Sequence, residues 1–301
     1  MGSPVLAVDI GATKAAIALV NENFEILEKY SIPTGNRSDI WNSISEQTRI
    51  LTKNFKINIA GVGIGSAGPI DIKNGEISPV NIPSWRNFPI VNKFAEIYKT
   101  ENIVLHGDAI ALAHAEFKLG AGRDSENMLG MVVSTGIGGG LILNGKLFKG
   151  ESGNAGYFGH HSISFESDIC ACGRVGCVEL FASGPGMVKY ALQLGWKNPI
   201  HTFESLSKDA ISGDIAALKS LDRGTLALAH AITNVLCILD INLVVVGGGV
   251  IQAGPIYWDR LLSRMQSETR FAKFLSGVDL RKSQLNQDAG LIGAALGVMD
   301  K

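Results

Sequence analysis

The feature that most constrains how this chain folds is a strand–glycine turn–strand unit that occurs twice. The first copy runs from Val5–Val8 through Asp9-Ile10-Gly11-Ala12-Thr13-Lys14 into Ala15–Val20. The second lies within Gly130–Asn144: Met131–Val133 leads through Ser134-Thr135-Gly136-Ile137-Gly138-Gly139-Gly140 into Leu141–Leu143 and the turn Asn144-Gly145. Either copy alone could be an ordinary β-hairpin with glycine in its turn. The pair together points to two similar lobes, each offering a glycine-rich turn to a shared cleft. A length of 301 residues accommodates two lobes of roughly 100–200 residues each.

Between and beyond the repeats the pattern is mixed α/β. The turn Asn21-Glu22-Asn23 leads to a third strand, Phe24–Ile32. A helix is expected over Asp39–Phe55, with Ile40, Ile44, Leu51 and Phe55 on one face and Ser38 or Asp39 as its cap. Ile59–Ile64 reads as a buried strand running into Gly65-Ser66-Ala67-Gly68-Pro69. The stretch Gly186–Asp240 is largely helical by pattern, and its segment from Leu226 to Leu239, apolar all round, belongs in a core together with Cys237. It delivers the chain to strand Leu243–Val246 and to a third glycine turn, Gly247-Gly248-Gly249.

Composition removes several function classes. Basic and acidic residues balance at 27 and 28, so no basic excess calls for nucleic acid. Apolar runs such as Leu243–Val246 fall well short of the about 20 residues that cross a membrane. The first apolar stretch follows no basic segment and is interrupted by Asp9, so no signal peptide is read and a cytoplasmic home is expected. Of four cysteines, three crowd into Cys-Ala-Cys-Gly-Arg-Val-Gly-Cys, which suits a metal better than a disulfide framework.

The glycine turns carry a physical logic. Glycine lets backbone N–H groups approach an anion, and successive amides form a nest for phosphate oxygens. Gly11, Ala12, Thr13 and Lys14, then Thr135, Gly136, Gly138 and Gly139, then Gly248 and Gly249 are therefore candidate nucleotide contacts. Asp9 would repel a phosphate unless it holds Mg²⁺, directly or through water. No Gly-x-x-x-x-Gly-Lys-Ser/Thr run occurs, and Gly247–Gly249 lacks the spacing and acidic partner of a dinucleotide fingerprint. His160 with Cys170, Cys172 and Cys177 supplies one imidazole and three thiolates, a closed tetrahedral Zn²⁺ set, with His161 as the competing imidazole.

Taken together, Asp9–Lys14, Ser134–Gly140, Gly159-His160, the cysteine run with Glu179 behind it, and Asp288–Ala295 resemble the ROK family of repressors, open reading frames and sugar kinases. The resemblance spans essentially the whole chain. With no DNA-binding extension before Val5, it is to the kinase branch. It implies an α/β actin-like ATPase (ribonuclease H-like) fold, two lobes around a nucleotide and sugar cleft. The lobes expected are residues 1–117 with a returning C-terminal helix at 287–301, and residues 118–286 carrying the zinc clip. The implied activity is ATP-dependent, Mg²⁺-assisted phosphorylation of a hexose, usually at O6, in a homo-oligomer (dimer or tetramer). Asp108 matches the family's catalytic aspartate, and Asn81, His160 and Glu179 match sugar-contacting positions; Gly65–Gly68 matches the segment joining the sugar and phosphate sites.

Two departures bear on the acceptor. Gly107 stands where the family has Asn before the catalytic Asp, and Tyr157 stands where it has the Glu of Glu-x-Gly-His. Each lost side chain would pair a sugar hydroxyl, and sites built that way discriminate strongly. In bacterial N-acetylmannosamine kinases of that family the same Glu position can differ, in keeping with an acylamino group on the sugar. Beside a glucokinase-like enzyme, the sequence thus keeps open a kinase for N-acetylmannosamine or another C2-modified sugar, and a non-catalytic sugar sensor.

Overall fold

The computed structural model describes residues 2–300 except 12, 35–38, 56–57, 81 and 166–167. Ala12, Asn81 and the candidate cap Ser38 therefore lie outside the described residues.

Period-2 alternation builds the first sheet. In β1 (Val5–Ile10), Leu6, Val8 and Ile10 enter one apolar cluster while Val5 and Ala7 enter another on the opposite face, the face to which Asp9 also belongs. Strands β2 (Lys14–Val20) and β3 (Ile26–Pro33) add antiparallel on one side. Helix α1 (Ile40–Phe55) covers the first cluster with Ile40, Ile44 and Leu51. Phe55 does not join them, because the last turn of the helix projects beyond the sheet into solvent. Strand β4 (Gly61–Ser66) pairs parallel with β1; a small hairpin of β5 (Ile70–Asp71) and β6 (Glu76–Ile77) and helix α2 (Ile90–Tyr98) follow. Strand β7 (Ile103–Gly107) completes the order β3-β2-β1-β4-β7.

The second sheet repeats this plan. After helix α3 (Asp108–Leu119) come β8 (Met128–Val133), β9 (Ile137–Leu143) and β10 (Lys146–Phe148), joined antiparallel. Helices α4 (Glu179–Ala182), α5 (Gly184–Gln193), α6 (Phe203–Ile211) and α7 (Ile215–Leu239) precede β11 (Leu243–Gly247). Short α8 (Gly249–Gln252), α9 (Pro255–Thr269), strand β12 (Asp279–Lys282) and α10 (Ala289–Met299) end the chain. The order β10-β9-β8-β11-β12 has the same sequence of antiparallel and parallel pairs as the first sheet.

Several local expectations are corrected. The third strand starts at Ile26, not Phe24, because the Asn21 side chain accepts from the N–H groups of Asn23 and Glu25 and throws Phe24 to φ 64°. The strand expected at Ile59–Ile64 is shifted to Gly61–Ser66 by its pairing with β1. The helical stretch is divided into α5, α6 and α7, with Thr202 and Asp214 capping the last two. Cys237 is exposed, as is Ile238, because the last turns of α7 turn one side outward.

Helices α3 and α10 join the two halves. Helix α10 packs on β1 and β4, α3 packs on β8 and β9, and the two helices pack on each other. Their approach is so close that a Cβ on Gly293 would collide with the carbonyl of Ala111. Glu116, fully buried near the end of α3, pins the junction. Its Oε1 accepts from Ser283 Oγ at 2.6 Å and the Leu285 N–H at 2.8 Å; its Oε2 accepts from the N–H groups of Ala121 at 2.9 Å and Gln284 at 3.1 Å. Glu116→Gln puts an amide NH₂ against one set of these donors and should lower the unfolding free energy by roughly 1–3 kcal/mol in urea titrations. An unchanged midpoint would show that the junction does not depend on this carboxylate.

Candidate active site

Two strand ends and a helix start bring two carboxylates together. Pairing sets Asp9 level with Gly65, and Gly65 level with His106, two residues before α3 begins at Asp108. A Cβ placed on Gly65 would lie 3.4 Å from Asp9 Oδ1 and 3.8 Å from the Asp108 Cα, so both acids flank that glycine. Asp108 follows directly on β7 as the first residue of α3, and the Ala109 N–H donates to its Oδ1 at 2.7 Å. Burial raises its pKa against that hydrogen bond. Asp9 Oδ1 is buried with no hydrogen-bond partner. Burial first, and then the charge of Asp108, push the Asp9 carboxyl up to about 7, with Lys14 opposing.

Asp108 opens onto a cleft of about 310 Å³. One wall is the second glycine turn, including Thr135, Gly136, Gly138 and Gly139. Glu179, at the start of α4, reaches behind this turn and accepts from the Ile137 N–H at 2.8 Å. Gly136 is needed there, since a Cβ would lie 2.7 Å from Glu179 Oε2. Gly68, Gly107, Tyr157 and His160 also line the cleft. The Tyr157 and His160 rings stand 5.7 Å apart at 30°. The Tyr157 hydroxyl sits where a side chain on residue 68 would be, and burial with the nearby Asp108 charge raises its pKa.

Not every expected contact joins this wall. Gly11, Thr13, Lys14, Gly248 and Gly249 do not line the cleft. The first turn is closed on itself, with the Gly11 N–H donating to the Lys14 carbonyl at 3.0 Å. Gly248, at φ 101°, adjoins the carbonyl of Val133, and a Cβ on Gly249 would lie 3.4 Å from Ser134 Oγ. The third turn thus borders the second from behind. Ile70, Val80 and Asn154 line the cleft without having been singled out in the sequence. Asn154 is committed, accepting from the Ile70 N–H and donating to its carbonyl, a pairing 84 residues apart that no local pattern announces.

The metal set converges as expected. Donor atoms of His160, Cys170, Cys172 and Cys177 all lie within 4.8 Å of one another. The Cys172 and Cys177 sulfurs are 3.5 Å apart, and Cys170 Sγ is 3.7 Å from His160 Nδ1. Tetrahedral Zn²⁺ with bonds of about 2.3 Å sets its sulfurs roughly 3.8 Å apart, so the four groups fit that ion. Burial and the neighbouring sulfurs push the Cys177 thiol up to about 12 in the metal-free set. The group within 4.8 Å contains His160 and not His161, whose Nδ1 instead donates to the Phe158 carbonyl at 2.7 Å.

The ROK family model matches residues 5–301. The chain belongs to the ROK family. An N-acetylmannosamine kinase of Yersinia pestis is 33% identical over 294 residues, covering 97% of each chain. A glucokinase of Thermotoga maritima is 32% identical over 312 residues, covering 97% of this chain and 96% of that one. Among solved structures, a ROK family glucokinase from Streptomyces griseus in complex with glucose and AMPPNP superposes with a TM-score of 0.83 at 28% identity, covering 97% of this chain and 98% of that one. The fold is accordingly the actin-like ATPase fold. Among the described residues of this ROK protein, no helix is long and apolar enough to cross a membrane.

The raised pKa of Asp9 has a measurable sign. Unfolded, the carboxyl ionises near 3.8; folded, it ionises near 7. Its neutral form is fully compatible with folding below pH 4, and stability is lost as the pH climbs from about 4 to about 7. In chelator, wild-type minus Asp9→Asn stability should fall by a few kcal/mol across that window and then level off. A difference that stays flat in urea titrations at pH 4, 6 and 8 would contradict the desolvated carboxylate.

Proposed function

We propose that this ROK protein is an ATP-dependent sugar kinase that transfers the γ-phosphoryl group to a hexose hydroxyl, at O6. The observation that carries the reading is the Asp108 carboxylate, desolvated, raised in pKa and opening onto a cleft between a glycine turn and His160 with Glu179. A carboxylate so placed accepts the hydroxyl proton as the sugar oxygen attacks phosphorus. Backbone N–H groups of the turn around Thr135 and Gly136 suit phosphate oxygens, while Glu179 and His160 suit sugar hydroxyls. The Asp9 carboxylate, unpartnered and beside Asp108, fits Mg²⁺, which when bound would neutralise phosphate charge. The two sheets, meeting at α3 and α10, are suited to close as lobes and exclude water.

A second reading of the acceptor is favoured by the cleft itself. Tyr157, Ile70 and Val80 make part of its wall apolar, Asn154 is already committed, and Gly107 brings no side chain. Such a wall suits a sugar bearing an acylamino or other apolar-faced substituent, as in N-acetylmannosamine, better than one hydroxylated all round. A non-catalytic sensor would bind sugar without consuming ATP.

ATP consumption against glucose, mannose, glucosamine, N-acetylglucosamine and N-acetylmannosamine tests these readings together. Asp108→Ala should lower turnover on the preferred sugar by roughly 10²–10⁴-fold. Near-normal turnover in that variant would remove the proposed base, and sugar binding without any turnover would favour the sensor.

Zinc in the His160, Cys170, Cys172 and Cys177 set would fix the loop that carries His160 beside Glu179. Elemental analysis should find about one zinc per chain. Its removal by chelator, or by Cys172→Ser, should weaken sugar affinity more than nucleotide affinity. Equal sugar affinity in demonstrably zinc-free protein would sever the link.

A further inference from the structure

A second cavity, of about 270 Å³, lies on the other side of Glu179, between the metal-site loop and helices α4 and α5. Arg223 of α7 reaches into it. The guanidinium carbon stands 4.3 Å from the centre of the Phe181 ring and 4.1 Å from that of Tyr190. Two rings this close hold the planar group in place and strip water from it. Burial accordingly draws its pKa below the usual arginine range. Among the described residues no carboxylate comes within 4.0 Å of the Arg223 guanidinium and none of its guanidinium N–H groups is hydrogen-bonded. Asp168, whose charge acts on Arg223, is engaged by Lys189 at 2.5 Å. A half-desolvated, pre-oriented guanidinium without an anion is the arrangement that recognises a phosphate or carboxylate through two parallel hydrogen bonds.

The rest of the lining narrows the ligand. Lys189 is largely exposed and can leave Asp168 for an anion, which frees the Asp168 carboxylate for hydroxyl groups. Gln193 and Thr135 add further partners for hydroxyls. One anionic head and a polyhydroxylated body match this set. We propose that the cavity is a second ligand site for a sugar phosphate, with the phosphate on Arg223 and Lys189 and the sugar toward Asp168, Gln193 and Thr135. Thr135, Ala171 and Glu179 line both this cavity and the main cleft. Occupancy of one therefore bears on the other, and a phosphorylated sugar would act here as an inhibitor of acceptor binding. The site needs the proposed kinase reaction only for the source of its ligand, not for its existence.

Calorimetric titration tests this as binding, independent of turnover. The probes are a hexose 6-phosphate, inorganic phosphate and citrate, added to the wild type, Arg223→Met, Arg223→Lys, Lys189→Met and Asp108→Ala proteins. Hexose 6-phosphate should bind the wild type and Asp108→Ala alike, and bind about tenfold or more weakly to Arg223→Met. Arg223→Lys, which keeps the charge and the stem, should also weaken binding because it lacks the planar fork. Lys189→Met, outside the core, should weaken binding even if the Arg223 variants lower the thermal midpoint. Binding that survives in the Arg223 and Lys189 variants but is lost in Asp108→Ala would assign the phosphate to the main cleft and overturn the proposal. Citrate binding more tightly than the sugar phosphate would overturn the ligand class. Absence of ATP turnover on every sugar, with this binding pattern intact, would sink the kinase reading and leave the second site standing.

Discussion

The structure is organised around two like charges held out of water on either side of one glycine. Asp9 and Asp108 belong to separate elements and meet beside Gly65, where a Cβ would touch both at ordinary contact distance. Burial raises both pKa values and the Asp108 charge raises that of Asp9 further, so this corner is costly. What holds it is the surrounding scaffold: a parallel register across β1, β4 and β7, a helix beginning at Asp108, and α10 pressed against Asp9 through Gly290. Glu116, at the far end of α3, fixes the direction of that helix to the segment that leads into α10. A buried, fully satisfied carboxylate thus stabilises the placing of Asp108 and of the unpartnered Asp9 beside it.

The opposite wall is built by a different rule. Glu179 and His160 are far from ideal strand or helix interiors; both are held by contacts that bind loops to loops. Glu179 is tied to the N–H of Ile137, and His160 belongs to the four-residue metal set. The cleft therefore has a rigid acidic side supplied by sheet register and a second side whose stiffness depends on the Cys–His cluster. Tyr157 stands at the meeting of the two, its hydroxyl against Gly68.

Much of this was legible in the residues. The duplicated hairpins announced two sheets of one plan, because alternation and glycine turns are local signals. The cysteine spacing announced the metal set for the same reason, and geometry only had to choose His160 over His161. What was not legible depended on contacts distant in sequence. The all-buried face of α3 follows from being enclosed between α10 and the second sheet, and the commitment of Asn154 follows from Ile70 across the cleft. Cys237 was misjudged because an apolar stretch says nothing about which turns of a long helix run past the core. The stacking of Arg223 between aromatic rings from α4 and α5 has no local signature at all.

The matched plan of the two sheets carries a consequence for charge. In each copy the hairpin ladder ends with a residue facing the first position after the turn: Ile10 opposite Ala15, and Val133 opposite Ile137. One step back from that end, the first copy has Asp9 and the second has Val132. The two sheets thus share an order of strands, while at this step of the ladder one carries an ionisable side chain and the other an apolar one. One half carries a desolvated carboxylate at that step, and the other carries valine there. One register of a repeated unit therefore separates the halves in charge while leaving their strand order alike.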